Sequence, residues 1–273
     1  MSNLRVIGVS SGKGGVGKTT ISSNLAVSLA SKGNKVMLFD GDLGLANIQL
    51  SLGINPEFNF SHVIAGEKSL SEIIVKGPAG INVVPGASGV GTMADLDSRV
   101  LQGIVQGFSD YNEPLDFLVV DTAAGISRSV LTFLQACHQT LIVVRDDPSS
   151  IADAYGIIKV LVKEQGYRNI GLVPNGVTDQ RSGQILHQRL RAVCLKFLNL
   201  DLDYLYSVAN DEMVFEAARR ASPVVLYAPG TAAASDFRKL AKEVEMSKPM
   251  FSTDGSLQFF IERMYYPAEK LHG

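Results

Sequence analysis

Two lysines stand close together in a loop that is otherwise nearly all glycine, serine and threonine: Lys13 and Lys18 in SSGKGGVGKTT, Ser10 to Thr20. Gly12 to Thr19 satisfies G-x-x-x-x-G-K-[ST]. In that pattern glycines let successive backbone N–H groups turn inward around a phosphate, the last lysine brings a point charge to the outer phosphates, and the hydroxyl ligates Mg²⁺. Gly12, Gly14, Gly15, Val16 and Gly17 are then the cradle, Lys18 the cation and Thr19 the metal ligand. Thr20 continues the contact into the helix that begins there, whose dipole adds positive potential. One lysine suffices for this chemistry. Lys13 is a second cation, and its residue type leaves open whether it serves its own loop or another site.

Carboxylates complete the set. Asp40 and Asp42 lie at i, i+2 in DGDLGLAN, and Asp121 opens DTAAG. Paired carboxylates facing a triphosphate suit Mg²⁺ ligation through water and the positioning of an attacking water. Asp and Asn beside glycine are also common turn formers.

These groups need a scaffold that brings them to one edge. Short β-branched runs at 5–10, 35–40, 81–86, 116–121, 140–144, 169–175 and 202–208 alternate with helical patterns such as Thr19–Ser31, Ile151–Gln165, Ser182–Phe197 and Asp211–Arg219. Most of the runs are apolar nearly throughout, as strands buried on both faces are. The order predicts an α/β fold, a predominantly parallel sheet with helices on both faces. Ligands then bind beyond the carboxyl ends of the strands. The polar motifs sit at those ends: Gly12–Thr19, Asp40–Asn47, Asp121–Gly125, Asp146–Asp147 and Asn175.

With 273 residues the chain is near the upper size of a single core. A net charge of −2 gives no electrostatic case for direct nucleic-acid binding. Cys137 and Cys194 are far apart and make no CxxC metal site, which fits a reduced, cytoplasmic compartment. The start, MSNLRVIGVSSG, does not read as a secretory signal, and no apolar run reaches the ~18–20 residues of a membrane span. The expected division is a P-loop domain over 1–250 and a tail over 251–273. In the tail Leu257, Phe260, Ile261 and Met264 fall at helical spacing.

KGGVGKT resembles the deviant Walker-A signature K-G-G-x-x-G-K-[ST] of the MinD/ParA family of P-loop ATPases. The resemblance implies a slow, Mg²⁺-dependent ATPase that binds ATP or ADP and forms a face-to-face homodimer with ATP. Lys13 would reach the partner's nucleotide, a cation supplied only on assembly, like an arginine finger. By the same resemblance Asp42 orients the attacking water, Asp40 supports the metal site and Asp121 holds Mg²⁺ through water. The catalytic set is then Lys13, Lys18 and Asp42. Asn175, after GLVP, reads the adenine edge, where an amide donates and accepts at once. Residues 208–225 resemble the segment that closes over the base, with Ala209 where the family usually has proline. Asp211 is a base or ribose contact, or the cap of the helix that follows. Ala123 likewise replaces a common proline in the second switch.

Longer stretches, 37–54, 81–89, 121–137 and 146–161, resemble the FlhG/FleN group that restrains flagellar number, with PSSIADAY, Pro148 to Tyr155, the most specific. That implies a flagellar master transcription activator, a σ54-dependent AAA+ protein, as partner. Many members also stimulate an FlhF-type GTPase through an N-terminal D-Q-A-x-x-L-R-like segment; the first strand here opens at Arg5 and no such segment is in the sequence. Residues 255–266 are either a membrane-surface helix, placing the protein at the inner face of the membrane or the cell pole, or a helix docked on its own domain. Other readings of the loop are a division-site or DNA-partition ATPase and an iron–sulfur carrier, which needs paired cysteines.

Overall fold

The computed structural model describes residues 4–87, 98–247 and 258–260. Its strands are β1 (Arg5–Ser10), β2 (Val36–Gly41), β3 (Val75–Lys76), β4 (Asn82–Val84), β5 (Phe117–Thr122), β6 (Gln139–Val144), β7 (Ile170–Val177), β8 (Asp203–Tyr204) and β9 (Val208–Ala209). They form one sheet in the order β3-β4-β2-β5-β1-β6-β7-β8, with β9 also on β7. Every pairing is parallel except β3 on β4. The helices are α1 (Lys18–Ala30), α2 (Ile48–Leu52), α3 (Phe60–Ile64), α4 (Leu70–Ile73), α5 (Ser98–Gly107), α6 (Arg128–Gln135), α7 (Pro148–Lys163), α8 (Gln180–Leu198), α9 (Glu212–Arg219), α10 (Val224–Tyr227) and α11 (Ala232–Met246).

Strict alternation splits the core in two. Ile7, Val9, Leu38 and Val119 face one side, where α1, α9, α10 and α11 cover them. Val6, Met37, Phe39, Leu118 and Val120 face the other, under α3 to α6. Further along that second face α7 and α8 pack on Ile142, Val144, Ile170 and Leu172. A strand buried on both faces has no solvent side to mark with polar residues, which is why these runs read as continuously apolar.

The seven expected strands and four helical stretches are present, with one change. The run at 202–208 is not one strand. It pairs at Asp203–Tyr204, leaves the edge as Leu205 turns into the core, and pairs with β7 again at Val208–Ala209, across an irregularity between Asn175 and Val177. Leu205 N donates to Leu172 O at 3.1 Å as the chain departs. The four- and five-residue α2 to α4 and the two-residue β3 are too short to show a period, whereas α5 carries one in Leu101, Ile104 and Val105 that was not expected from the sequence.

Most of the expected tail helix at 255–266 lies outside the described residues, as do residues 88 and 89 of the stretch 81–89. Gln258–Phe260 are described, as a turn in which Phe260 has φ 57°. Phe259 N donates to Ala136 O at 3.2 Å. Both phenylalanines are fully buried on the second face. Phe259 meets Phe39, Phe108 and Phe133, and Phe260 meets Phe108. Each buried ring contributes about 1.5–3 kcal/mol.

Candidate functional site

The loop Ser11–Gly17 joins β1 to α1 and takes its shape from glycine. Gly15 (φ 76°) and Gly17 (φ 100°) hold left-handed backbone that side chains rarely adopt. Gly12 is needed for a different reason: a Cβ there would lie 2.1 Å from the Asp153 carbonyl oxygen, so α7 packs directly on the loop. On the far side the Asn175 amide donates to Val16 O at 2.7 Å. At Gly14 and Gly15 an added Cβ meets nothing within 4 Å, so this part of the loop is open. Ser11 Oγ donates to Lys13 O at 2.6 Å, and Gly125 N donates to Ser11 O at 2.9 Å, tying the loop after β5 to the cradle.

Three parallel strands bring the carboxylates together. Register pairs Val9 with Asp121 and Asp121 with Asp40. Asp121 is buried at the end of β5, and its Oδ1 has no hydrogen-bond partner. Burial pushes its carboxyl up to about 6, against the opposing pull of Thr19, Ser22 and the Lys18 ammonium. Lys18 is itself held below its usual range by burial, while Asp121 and Asp42 act the other way. A buried carboxylate oxygen with no donor, beside a lysine and a threonine, has the donor set for a hard divalent cation. The open, glycine-lined loop has the form of a phosphate cradle. Mg²⁺ and a nucleotide phosphate therefore fit these residues, with Thr19 and Asp121 for the metal and Gly12–Thr20 for the phosphates.

Asp40 has a different task. Its Oδ1 accepts from Asp42 N at 3.2 Å, and its Oδ2 accepts from Asn47 N and Ile48 N, each at 2.9 Å. Both oxygens are spent on the backbone of the loop that carries Asp42. Burial first, then the neighbouring Asp121 charge, raises the Asp40 carboxyl to about 8. Asp42 is partly exposed, and its Oδ1 accepts from Gly44 N and Leu45 N at 3.2 and 3.0 Å.

At the base side, Asn175 pairs in register with Val208, and Ala209 N donates to Asp236 Oδ2 at 3.0 Å. Asp211 caps α9: its Oδ1 accepts from Met213 N at 2.9 Å and its Oδ2 from Ala233 N at 3.2 Å.

Lys13 stands apart from Lys18. Its Nζ donates to Ser149 Oγ at 2.7 Å and lies 3.8 Å from Asp147 Oδ1, with both ion-pair side chains over 40% exposed (46% and 42%). Asp147 in turn caps α7 by accepting from Ser150 N at 2.9 Å. Asp147 and Ser149 as holders of Lys13 had no signal in the sequence, because the contact spans the first and sixth strands. Asp236 was missed for the same reason.

The family described as ParA, NUBPL iron-transfer P-loop NTPase, matches residues 3–245. The chain is 40% identical over 264 residues to the antiactivator FleN of Pseudomonas aeruginosa, covering 97% of this chain and 94% of that one. It is 37% identical over 213 residues to the flagellum site-determining protein YlxH of Helicobacter pylori, covering 78% and 72%. Among solved structures, the septum site-determining protein MinD of Pyrococcus horikoshii, complexed with Mg-ADP, superposes with a TM-score of 0.73 at 26% identity over 89% of this chain and 96% of that one.

Two outcomes test this geometry. Gly12→Ala must move either the loop or α7, an overpacking cost of about 1–3 kcal/mol that weakens nucleotide binding by roughly 10- to 100-fold; unchanged affinity by titration calorimetry contradicts the close approach. The second is a pH slope. Asp40 keeps its proton in the folded state up to about 8, well above an unfolded carboxyl, so it contributes stability that is lost as pH rises towards 8. His138, pushed down to about 4 by burial and then by Arg5, works in the opposite sense only below about 6.5. The unfolding midpoint of the nucleotide-free protein is therefore expected to fall between about pH 6.5 and 8. A flat or rising midpoint in scanning calorimetry contradicts it.

Proposed function

The chain belongs to the ParA/MinD family of P-loop NTPases, and on that premise we propose that it is an ATP-driven dimerising switch that limits flagellar number. The observation that carries the switch is the separation of the two lysines. Lys18 is drawn into the buried site, while Lys13 is held outside it by Ser149 and Asp147. A residue outside its own cradle is free to serve a facing one.

When bound, Mg²⁺–ATP supplies the γ-phosphoryl group and the divalent charge that neutralises it. The backbone of Gly12–Thr19 grips the phosphates, Lys18 offsets their charge, and Thr19 and Asp121 hold the cation. Asp40 fixes the backbone on which Asp42 sits, and Asp42 orients water at the γ-phosphate. Phosphoryl transfer asks mainly for positioning and charge, which these residues provide. Lys13 adds its charge to the partner's nucleotide, so that two-site assembly and ATP sensing become one event. Asn175 reads the base after leaving Val16.

The output is the lifetime of the dimer, and slow hydrolysis suits that role. We take the partner to be a σ54-dependent AAA+ flagellar activator, with an FlhF-type GTPase in the same system. The likeness to an antiactivator over nearly the whole chain supports that partner class. Localisation in the cytoplasm, with peripheral membrane contact, follows the same reading. Iron transfer has weaker support: Cys137 and Cys194 are buried in separate parts of the core, and burial raises both thiols, Cys194 to about 11, which disfavours thiolate ligands.

Counting flagella by electron microscopy tests the assignment. Cells lacking the protein and cells carrying Lys18→Ala are both expected to bear more flagella than the parent. Parental numbers in both would leave the nucleotide chemistry intact and remove the flagellar role.

A further inference from the structure

A cleft of about 360 Å³ lies between the carboxyl-terminal half of α1, α10 and α11, lined by Ser28, Ser31, Lys32, Val225, Arg238 and Lys242. Its volume is at the small end of the range for ligand sites. Three of its six lining residues are cations. Lys32 pairs with Glu245. Arg238 spends Nη2 on Pro229 O, at 2.9 Å, and keeps further N–H groups. Lys242, one helical turn after Arg238, makes no ion pair among the described residues. With Glu245 paired to Lys32, Arg238 and Lys242 are left as two cations with no ion pair among the described residues.

Ser28 is the second observation. It is 3% exposed, and its hydroxyl has no hydrogen-bond partner. Neighbouring small polar residues on and just after this helix have partners: Ser22 donates to Lys18 O, Asn24 to Thr20 O and Ser31 to Val27 O, and Ser23 shares a hydrogen bond with Ser51. A buried hydroxyl left without a partner costs about 1–3 kcal/mol unless something supplies one. Three of the last four carbonyls of α1 already accept hydrogen bonds, which weakens their opposition to an anion: Val27 O from Ser31, Leu29 O from Lys32 and Asn34, and Ala30 O from Gly33.

We propose that this cleft is a second anion site, for a small phosphate-bearing molecule, at the end of the P-loop helix remote from the nucleotide. Arg238 and Lys242 supply charge-assisted hydrogen bonds to phosphate oxygens, and Ser28 donates its free hydroxyl. Ser28 lies about 15 Å along α1 from Lys18, at 1.5 Å per residue, on the same rigid element. A soluble phosphate compound and a phospholipid headgroup present the same chemistry to it.

The test fills the nucleotide site first with saturating Mg²⁺–ADP. Inorganic phosphate is then titrated by thermal unfolding against sodium chloride of equal ionic strength. Phosphate is expected to raise the midpoint of the parent protein. The rise should disappear in the Arg238→Ala, Lys242→Ala double variant and fall by about half in Ser28→Ala, with stabilisation by Mg²⁺–ADP unchanged in both. Arg189→Ala with Lys196→Ala, the same charge change on exposed cations of α8, should leave the rise intact. No phosphate response in the parent, or an equal response in the Arg238/Lys242 variant, overturns the proposal. Co-sedimentation with phosphatidylglycerol vesicles separates the sources. Capture that falls at least tenfold in the double variant identifies a headgroup, and no capture alongside an intact phosphate response identifies a soluble ligand.

Discussion

Two carboxylates, Asp40 and Asp121, are buried side by side at the ends of adjacent parallel strands. Burial raises the proton affinity of both, and nearby carboxylates raise it further, Asp121 acting on Asp40 and Asp42 on Asp121. The structure tolerates the pair by dividing the work. Asp40 is wrapped in three backbone N–H groups, while Asp121 faces Lys18 and keeps one oxygen unpaired. One carboxylate has become a structural peg and the other is poised for a cation. The anchoring of the loop around Asp42 and the pairing of Asp121 with Lys18 both follow from that asymmetry.

The remainder of the fold supplies rigidity where this pair needs it. β1, β2 and β5 are each buried along their whole length, so their ends cannot drift relative to one another. The phosphate loop is clamped from both sides, by the backbone of α7 at Gly12 and by the Asn175 amide at Val16. Lys13 leaves this clamp and joins the start of α7 instead. Its partners there are partly exposed, so the contact is screened by water and weak. A weak hold suits the exchange of partners proposed for Lys13.

How far the sequence reveals this depends on whether a feature is local. The glycine loop, the doubly buried strands and the acidic strand ends are short-range patterns, and they appear where the spacing put them. The division of labour between Asp40 and Asp42 was less visible. Both were expected at the metal site, yet only the fold shows Asp40 spending both oxygens on the loop around Asp42. Asp211 had two local readings; it caps α9 through Met213 N, and its second bond, to Ala233 N far along the chain, left no local trace. The grip of Asp147 and Ser149 on Lys13, and the burial of Phe259 beside Phe39, join distant segments and left no periodic trace. The run at 202–208 read as one strand because Leu205 is as apolar as its neighbours; that it turns inward is a matter of packing alone.

The central claim is that ATP joins two copies of this chain through Lys13. Sedimentation velocity with a non-hydrolysable ATP analogue and Mg²⁺ tests it directly. The parent protein is expected to sediment as a dimer with the analogue and as a monomer with ADP, while Lys13→Ala binds the analogue and stays monomeric. A Lys13→Ala dimer equal to the parent, or a parent that stays monomeric with the analogue bound, would contradict it.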